Sequence, residues 1–305
     1  MIPTLMNVVK PPPHTSDYST SISVTKLPIF GRIHFVRDRE GITCVSITAL
    51  YWLYGTFATL YFILLPQYRE GIVSPGFILV YMCVSAGTII SLFRAATLNP
   101  GRVPLVTDLE AGADWTPCHV CNRPRPPQAH HCRRCQQCVL RMDHHCPWIN
   151  NCVGEENHYM FILLIAFAFL LGFLTFILCM LHFWVYPKCQ LCDREAFLIK
   201  HSIWFLYLLT VMGAVMATVM FFMMVGQHIN LVLGRTTLDN LQDPHPDPAQ
   251  FRVRACMGAY RELFGEVVPY SGLSLVGTAN TEVFITTQSE LSDHSEPSDH
   301  SDPSS

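Results

Sequence analysis

Charged residues are scarce in this chain. Asp, Glu, Lys and Arg make up only 14% of its 305 residues, whereas soluble domains carry about a quarter. The formal net charge of −3 provides no concentrated positive surface for phosphate backbones, so binding of nucleic acid is not expected. Residues 1–41 lack an apolar core of the length that a cleavable signal peptide needs, so we expect none.

Four stretches contain no Asp, Glu, Lys or Arg at all. They cover residues 42–65, 72–93, 160–186 and 202–227, and each is longer than the ~20 residues that cross a bilayer as a helix. Apolar runs of buried helices in soluble proteins are shorter, about 10 to 14 residues. The sequence therefore predicts an all-α polytopic membrane protein with four transmembrane helices.

The even number of spans places both termini on one side of the membrane, together with the long segment between the second and third spans. Four of the 20 Lys and Arg residues lie on the opposite side, and the remaining sixteen lie on the side of the termini. An excess of positive charge marks the cytosolic side. The termini and the long segment are therefore predicted to be cytosolic.

The long segment is rich in cysteine, with seven of the chain's 13 cysteines between residues 118 and 152. A set of three cysteines and one histidine recurs fourteen residues later, with the same two, nine and six intervening residues. Three thiolates and one imidazole form a closed tetrahedral shell for structural zinc. The first ligand set is Cys118, Cys121, His131 and Cys138, and the second is Cys132, Cys135, His145 and Cys152.

The two ligand sets interleave along the chain, so we expect two zinc lobes folded through one another with little regular secondary structure. An alternative grouping puts Cys118, Cys121, Cys132 and Cys135 on one zinc, but it leaves the other ligands without a regular pattern. Thiolate ligands need a reducing compartment, which agrees with a cytosolic domain.

The predicted organisation follows from these features. It comprises a cytosolic N-terminal segment (1–41), two transmembrane helices (42–93), a cytosolic cysteine-rich domain that binds two zinc ions (94–159), two further transmembrane helices (160–227), a cytosolic C-terminal region (228–287) and an acidic Ser/His/Pro tail (288–305). The composition of the tail and of the first residues predicts disorder. Cys189 and Cys192, in the loop between the last two spans, receive no function.

Cys146 belongs to neither ligand set. A further shift by fourteen residues puts Ile149, Tyr159 and Ala166 where its fellow ligands would stand. A cysteine beside a histidine and a carboxylate has the composition of an activated thiolate nucleophile. His144 is then the general base, and Asp143 orients His144. Another histidine, His158, is expected to be solvated.

The cysteine-rich segment resembles the DHHC protein S-acyltransferases, or palmitoyltransferases. Asp143-His144-His145-Cys146 matches the family signature, and it is followed, as usual in that family, by Pro147, Trp148, Asn150, Asn151, Cys152, Gly154 and Asn157. Three departures stand out. Gln128 replaces a usual arginine, Asn99-Pro100-Gly101 replaces Asp-Pro-Gly, and Thr236-Thr237-Leu238-Asp239 replaces Thr-Thr-x-Glu.

The resemblance implies a ping-pong transfer. Cys146 takes a long-chain acyl group from acyl-CoA, such as palmitoyl-CoA, and passes it to cysteines of membrane-associated proteins at the cytosolic face. It also implies an acyl cavity among the spans, with Leu171 as a candidate for its floor. Arg133, Arg134 and Arg141 are candidates for contacts with the CoA phosphates. The segment RDREGITC resembles Golgi members, which favours an endomembrane location in the Golgi or else the ER.

The main alternative is a catalytically inactive membrane scaffold whose zinc lobes bind partners. In that case Cys146 would be replaceable without loss of function. A channel or transporter usually has charged or polar residues within its spans, and the four apolar stretches contain no formal charge.

Overall fold

The structure is a computed structural model, and it describes residues 22–27, 31–103, 114–186, 202–243 and 256–264. The predictions for residues 1–21, for the loop with Cys189 and Cys192 and for the tail 288–305 lie outside this part of the chain.

Four long apolar helices dominate the described residues. Helix α1 (Arg39–Thr59) continues through a π-helical segment, Leu60–Leu64, into α2 (Leu65–Arg69). Helices α3 (Pro75–Thr97), α4 (His158–Trp184) and α5 (Ser202–Leu233) follow. Within the described residues, the four resulting rods are long and apolar enough to cross a membrane, which confirms the prediction of four transmembrane helices. Two short helices, α6 (Thr237–Gln242) and α7 (Cys256–Phe264), come after them.

The connection between the first two spans is tight because its residues favour a chain reversal. Gly71 adopts a φ of +73°, a conformation that costs glycine little. The hydroxyl of Ser74 then accepts a hydrogen bond from the Phe77 amide at 3.3 Å, and Pro75 occupies the first turn of α3. A serine cap followed by proline is a favourable helix start.

The backbones of helices α4 and α5 approach each other closely. A Cβ atom on Gly172 would lie 3.0 Å from the backbone nitrogen of Ala217, and one on Gly213 would lie 3.1 Å from that of Phe176. Small residues at such positions let helix backbones approach within a membrane, where van der Waals contact drives association.

Two apolar clusters lie at opposite ends of the helix bundle. The cluster near the α2–α3 connection contains Ile63, Val73, Tyr81 and Leu178. The other cluster joins Leu92, Phe161 and Ile165 of the spans to Cys146, Ile149 and Val153 of the cysteine-rich segment. This second cluster fixes the cysteine-rich domain onto the end of the bundle.

The cysteine-rich domain contains three short antiparallel hairpins, so the expectation of little regular structure is wrong. They pair β3 (Thr116–Cys118) with β4 (Arg123–Arg125), β5 (Ala129–Cys132) with β6 (Gln137–Leu140), and β7 (His144–Cys146) with β8 (Asn151–Val153). A further hairpin, β1 (Ile22–Leu27) with β2 (Gly31–Val36), precedes α1. The turns of the three cysteine-rich hairpins each contain a residue with positive φ, at Asn122, Gln136 and Asn150. The fourteen-residue repeat is therefore a repeat of backbone shape as well as of ligands.

Candidate functional site

The two predicted ligand sets come together as the repeat predicts. In each set the four ligand atoms lie within 4.8 Å of one another. The alternative grouping across Cys118, Cys121, Cys132 and Cys135 is not the one that the structure forms.

The spacing of the ligand atoms fits zinc. Zn–S bonds of about 2.3 Å and Zn–N bonds of about 2.0 Å give tetrahedral edges of roughly 3.5 to 3.8 Å. Cys121 Sγ lies 3.7 Å from Cys138 Sγ, and Cys135 Sγ lies 3.4 Å from His145 Nδ1. The two Cys3His sets can therefore each hold one zinc ion.

The backbone of each ligand hairpin points toward its first cysteine. The amide of Cys121 donates to Cys118 Sγ at 3.5 Å, and the amide of Cys135 donates to Cys132 Sγ at 3.4 Å. The third hairpin has its positive-φ residue at the matching position, Asn150, but its Ile149 amide donates to the Cys146 carbonyl at 3.3 Å and not to the sulfur. Cys146 thus occupies the position of the first ligand, like Cys118 and Cys132, but the other three ligands are missing from its hairpin. Its sulfur belongs to neither of the two ligand sets.

The thiol of Cys146 lies at the boundary between the domain and the spans. The residue is 5% exposed and packs in the apolar cluster with Leu92 and Phe161. The His144 ring meets the Phe161 ring edge-on, with 5.1 Å between their centroids. The nucleophile predicted from sequence therefore faces apolar side chains that an acyl chain could replace or contact.

Asp143 and His144 form the predicted pair. Asp143 is 1% exposed, and its Oδ2 accepts a hydrogen bond from His144 Nδ1 at 2.8 Å. Burial would raise the pKa of Asp143, but the hydrogen bonds from His144 and from the Thr237 backbone, with the charges of nearby histidines, hold it well below its usual range. The carboxyl group is therefore ionised.

The pKa of His144 moves in the opposite direction. Burial alone would lower this pKa, but the hydrogen bonds to Asp143 and Cys146, together with their charges, outweigh it and raise it to about 9. Because Nδ1 is bonded to Asp143, Nε2 is the ring nitrogen left to meet Cys146. The imidazole thus lies between the carboxylate and the thiol, as a general base requires.

Comparisons with known proteins agree with this geometry. Residues 113–244 match the DHHC palmitoyltransferase family. The chain is 32% identical to palmitoyltransferase ZDHHC21 of Mus musculus over 214 residues, which cover 70% of this chain and 81% of that protein. The chain belongs to the DHHC palmitoyltransferase family.

Other family members match a shorter part of the chain. Palmitoyltransferase ZDHHC7 of Rattus norvegicus is 32% identical over 176 residues, covering 54% of this chain and 56% of the relative. Palmitoyltransferase ZDHHC3 of Homo sapiens is 34% identical over 162 residues, covering 50% and 54%. The chain therefore spans about half of the length of these two relatives.

The family's Thr-Thr-x-Glu motif, altered here, contacts the Asp143–His144 pair. The Thr237 amide donates to Asp143 Oδ1 at 2.5 Å, and its hydroxyl donates to Oδ2 at 3.0 Å. Asp239, in place of the usual glutamate, closes a capping box with Thr236 through hydrogen bonds of 2.8 and 3.1 Å. The shorter acid thus still fixes the start of α6, and Thr237 contacts the site although the sequence motif predicted no contact with Asp143.

The other altered family motif keeps a structural role. Asn99 Oδ1 accepts a hydrogen bond from the Arg102 amide at 3.2 Å, and Gly101 has a φ of +93°. The Gly101 carbonyl accepts a hydrogen bond from the Leu140 amide at 2.7 Å, which ties the end of the second span to the β5–β6 hairpin. Gln128, the third departure, has a φ of +63° at the turn before β5.

The arginines predicted near CoA differ in their surroundings. Arg134 forms ion pairs with Glu40 at 2.7 Å and Asp38 at 3.5 Å, so the start of the first span supplies its partners here. Arg133 is exposed and Arg141 is half-buried. The proposed contacts of all three with CoA phosphates stay predictions.

His158 is not solvated, contrary to the expectation. Its Nε2 lies 2.9 Å from Gln227 Oε1, and Gln227 in turn contacts Asp143. An isolated glutamine near the end of an apolar stretch gave no signal that it would meet a residue 84 positions earlier in the chain.

Proposed function

We propose that the protein is a protein S-palmitoyltransferase. It transfers a long-chain fatty acyl group from acyl-CoA to cysteines of membrane-associated proteins. The observation that carries this proposal is the Asp143–His144–Cys146 arrangement, which lies outside both ligand sets and against the apolar ends of the spans. The relatives' names support it. No observation favours the inactive scaffold.

The proposed reaction has two steps. The Cys146 thiol passes its proton to His144, and the sulfur attacks the thioester carbonyl of acyl-CoA. CoA leaves as a thiol with that proton, and Cys146 carries the acyl group as a thioester. An acceptor cysteine then gives its proton to His144, attacks the thioester carbonyl and releases Cys146 as a thiol.

Each protein group has a defined task in this scheme. The ionised Asp143 stabilises the protonated imidazole, and the pKa of about 9 means that His144 readily keeps the proton that Cys146 gives up. Zinc ions bound at the two ligand sets supply the cross-links that hold the hairpins in place. Because one thioester replaces another, catalysis consists mainly of activating and positioning the reactants.

The direct test is acylation of the purified full chain in detergent with a labelled palmitoyl-CoA. We expect label on the chain that neutral hydroxylamine removes, and transfer of that label to an added cysteine peptide. An unlabelled chain that still contains two zinc ions would rule out the proposed activity, because its catalytic domain would be folded.

We further propose that Leu171 limits the length of the acyl chain. It lies about twelve residues into the third span, or ~18 Å along the helix axis at ~1.5 Å per residue, which is comparable with an extended palmitoyl chain. The side chain is partly buried and packs against the apolar cluster at the far end of the bundle. A leucine facing inward at this depth can close the end of a cavity between spans.

Leu171→Ala is therefore expected to shift the preference toward longer acyl chains, because it removes volume at the far end. The measurement is the initial rate of labelling with acyl-CoAs of graded length. Leu170→Ala is a matched control, since the neighbouring Leu170 is 38% exposed and points outward. An unchanged chain-length profile in Leu171→Ala would disprove this role.

The topology and location that we propose rest on charge and resemblance. Both termini and the cysteine-rich domain would face the cytosol in a Golgi or ER membrane. Epitope tags at both termini should be reached by antibody after permeabilisation of the plasma membrane alone, and tags reached only after full permeabilisation would contradict this orientation.

A further inference from the structure

Gln227 is a buried polar residue near the end of the fourth span. It is 6% exposed, and a buried amide is costly unless both of its ends find partners. Its Nε2 donates to Asp143 Oδ2 at 2.9 Å, and its Oε1 lies 2.9 Å from His158 Nε2. Both ends of the amide are thus used.

The direction of these hydrogen bonds is fixed by Asp143. An ionised carboxylate only accepts hydrogen bonds, so the NH2 group of Gln227 must face Asp143 and its oxygen must face His158. The nitrogen of His158 that meets this oxygen must then carry a proton. The chain of donors runs in one sense, from His158 through Gln227 to Asp143.

Asp143 Oδ2 is the end point of three donors. They come from His144 in the catalytic hairpin, from the Gln227 amide in the fourth span and from the Thr237 hydroxyl. Thr237 also receives a hydrogen bond from Asn230 Nδ2 at 3.0 Å. The carboxylate that orients His144 is therefore oriented in turn by the fourth span and the helix that follows it.

We propose that Gln227 is a positioning residue for the acyl transfer and that His158 orients it. This inference rests on the proposed function. Gln227 holds the Asp143 carboxylate toward His144, and its direct hydrogen bond to His158 joins the first residue of the third span to the fourth span. The relative position of the two spans thereby sets the reactivity of Cys146.

The test compares Gln227→Met with the wild-type chain. Methionine keeps the length and volume of the side chain but cannot donate to Asp143. We expect the maximal rate of Cys146 acylation to fall about ten- to a hundredfold, by analogy with the loss of an outer partner of a metal-bound histidine. The KM for palmitoyl-CoA should stay unchanged, and alkylation of Cys146 by iodoacetamide should slow in parallel.

A second variant changes His158, which lies at the other end of this chain of hydrogen bonds. His158→Phe removes the donor to Gln227 and should produce a smaller fall in rate, whereas His158→Gln, which can still donate, should restore most of it. The double variant Gln227→Met/His158→Phe should be no slower than Gln227→Met alone, because residues that act through one path are not additive.

Gln67→Leu is the matched control, because Gln67 is also a buried glutamine but lies at the opposite end of the bundle. Its acylation rate should match the wild type. The inference would be overturned if Gln227→Met kept wild-type rates of acylation and alkylation. It would also be overturned if the acylation rate fell together with the zinc content, or if only the KM for palmitoyl-CoA rose. Failure of the proposed function is distinct, because the wild-type chain itself would then not be labelled.

Discussion

Cys146→Ser is expected to abolish hydroxylamine-sensitive acylation, with a loss of at least about a thousandfold, the scale seen when a nucleophile is removed. A serine hydroxyl keeps the size of the side chain but ionises far less readily than a thiol. Any ester formed through its oxygen would also resist neutral hydroxylamine. The measurement is label from palmitoyl-CoA retained on the purified chain before and after hydroxylamine.

Cys83→Ser is the control for this variant. Cys83 is an exposed cysteine of the second span, and its replacement should leave the label at the wild-type level. Zinc content of two per chain in both variants would show that the domain is folded. Hydroxylamine-sensitive label that persists in Cys146→Ser would place the nucleophile elsewhere and contradict the role assigned to Cys146.

Loss of one zinc ligand is expected to release both zinc ions. Strand pairing places His131 opposite Cys138, and Cys132 opposite Gln137, within the β5–β6 hairpin. This one hairpin therefore carries ligands of both sets. Structural zinc contributes about 10 to 16 kcal/mol in small zinc domains, far more than a short hairpin could supply by its own packing.

Cys135→Ser tests this coupling, because Cys135 belongs to the second set and is fully buried. Metal analysis of the purified variant should give less than one zinc per chain, together with loss of acylation. Cys83→Ser should keep two. One full zinc in Cys135→Ser would show that the two sets fold independently, and two would exclude Cys135 as a ligand.

Much of the site could be predicted because its signals are local or periodic. Stretches without charged residues predict the transmembrane spans. The fourteen-residue repeat predicts which cysteines bind zinc and leaves Cys146 outside both ligand sets. The third hairpin could not be predicted from the ligand pattern, because Ile149 stands where the other two hairpins have a ligand cysteine. What the three hairpins share is the backbone conformation of their turns.

The partners of Asp143 could not be found in the same way. Thr237 lies 94 residues away and Gln227 lies 84 residues away, and each reaches the carboxylate only because the third and fourth spans pack side by side. The error over His158 has the same origin. A histidine at the start of a span looks solvated until a buried amide on the neighbouring helix is known to meet it.

The metal-free hairpin has a consequence for how such a site can arise. Its sequence positions and its Asn150 turn follow those of the two zinc hairpins, so the Cys146 sulfur occupies the place that the first ligand has in each of them. A repeat of the structural unit that lacks three of the four ligands and keeps one presents a single thiol at a position set by the hairpin. A hairpin of this kind needs only a carboxylate and an imidazole beside its thiol, here Asp143 and His144, to form the proposed active site.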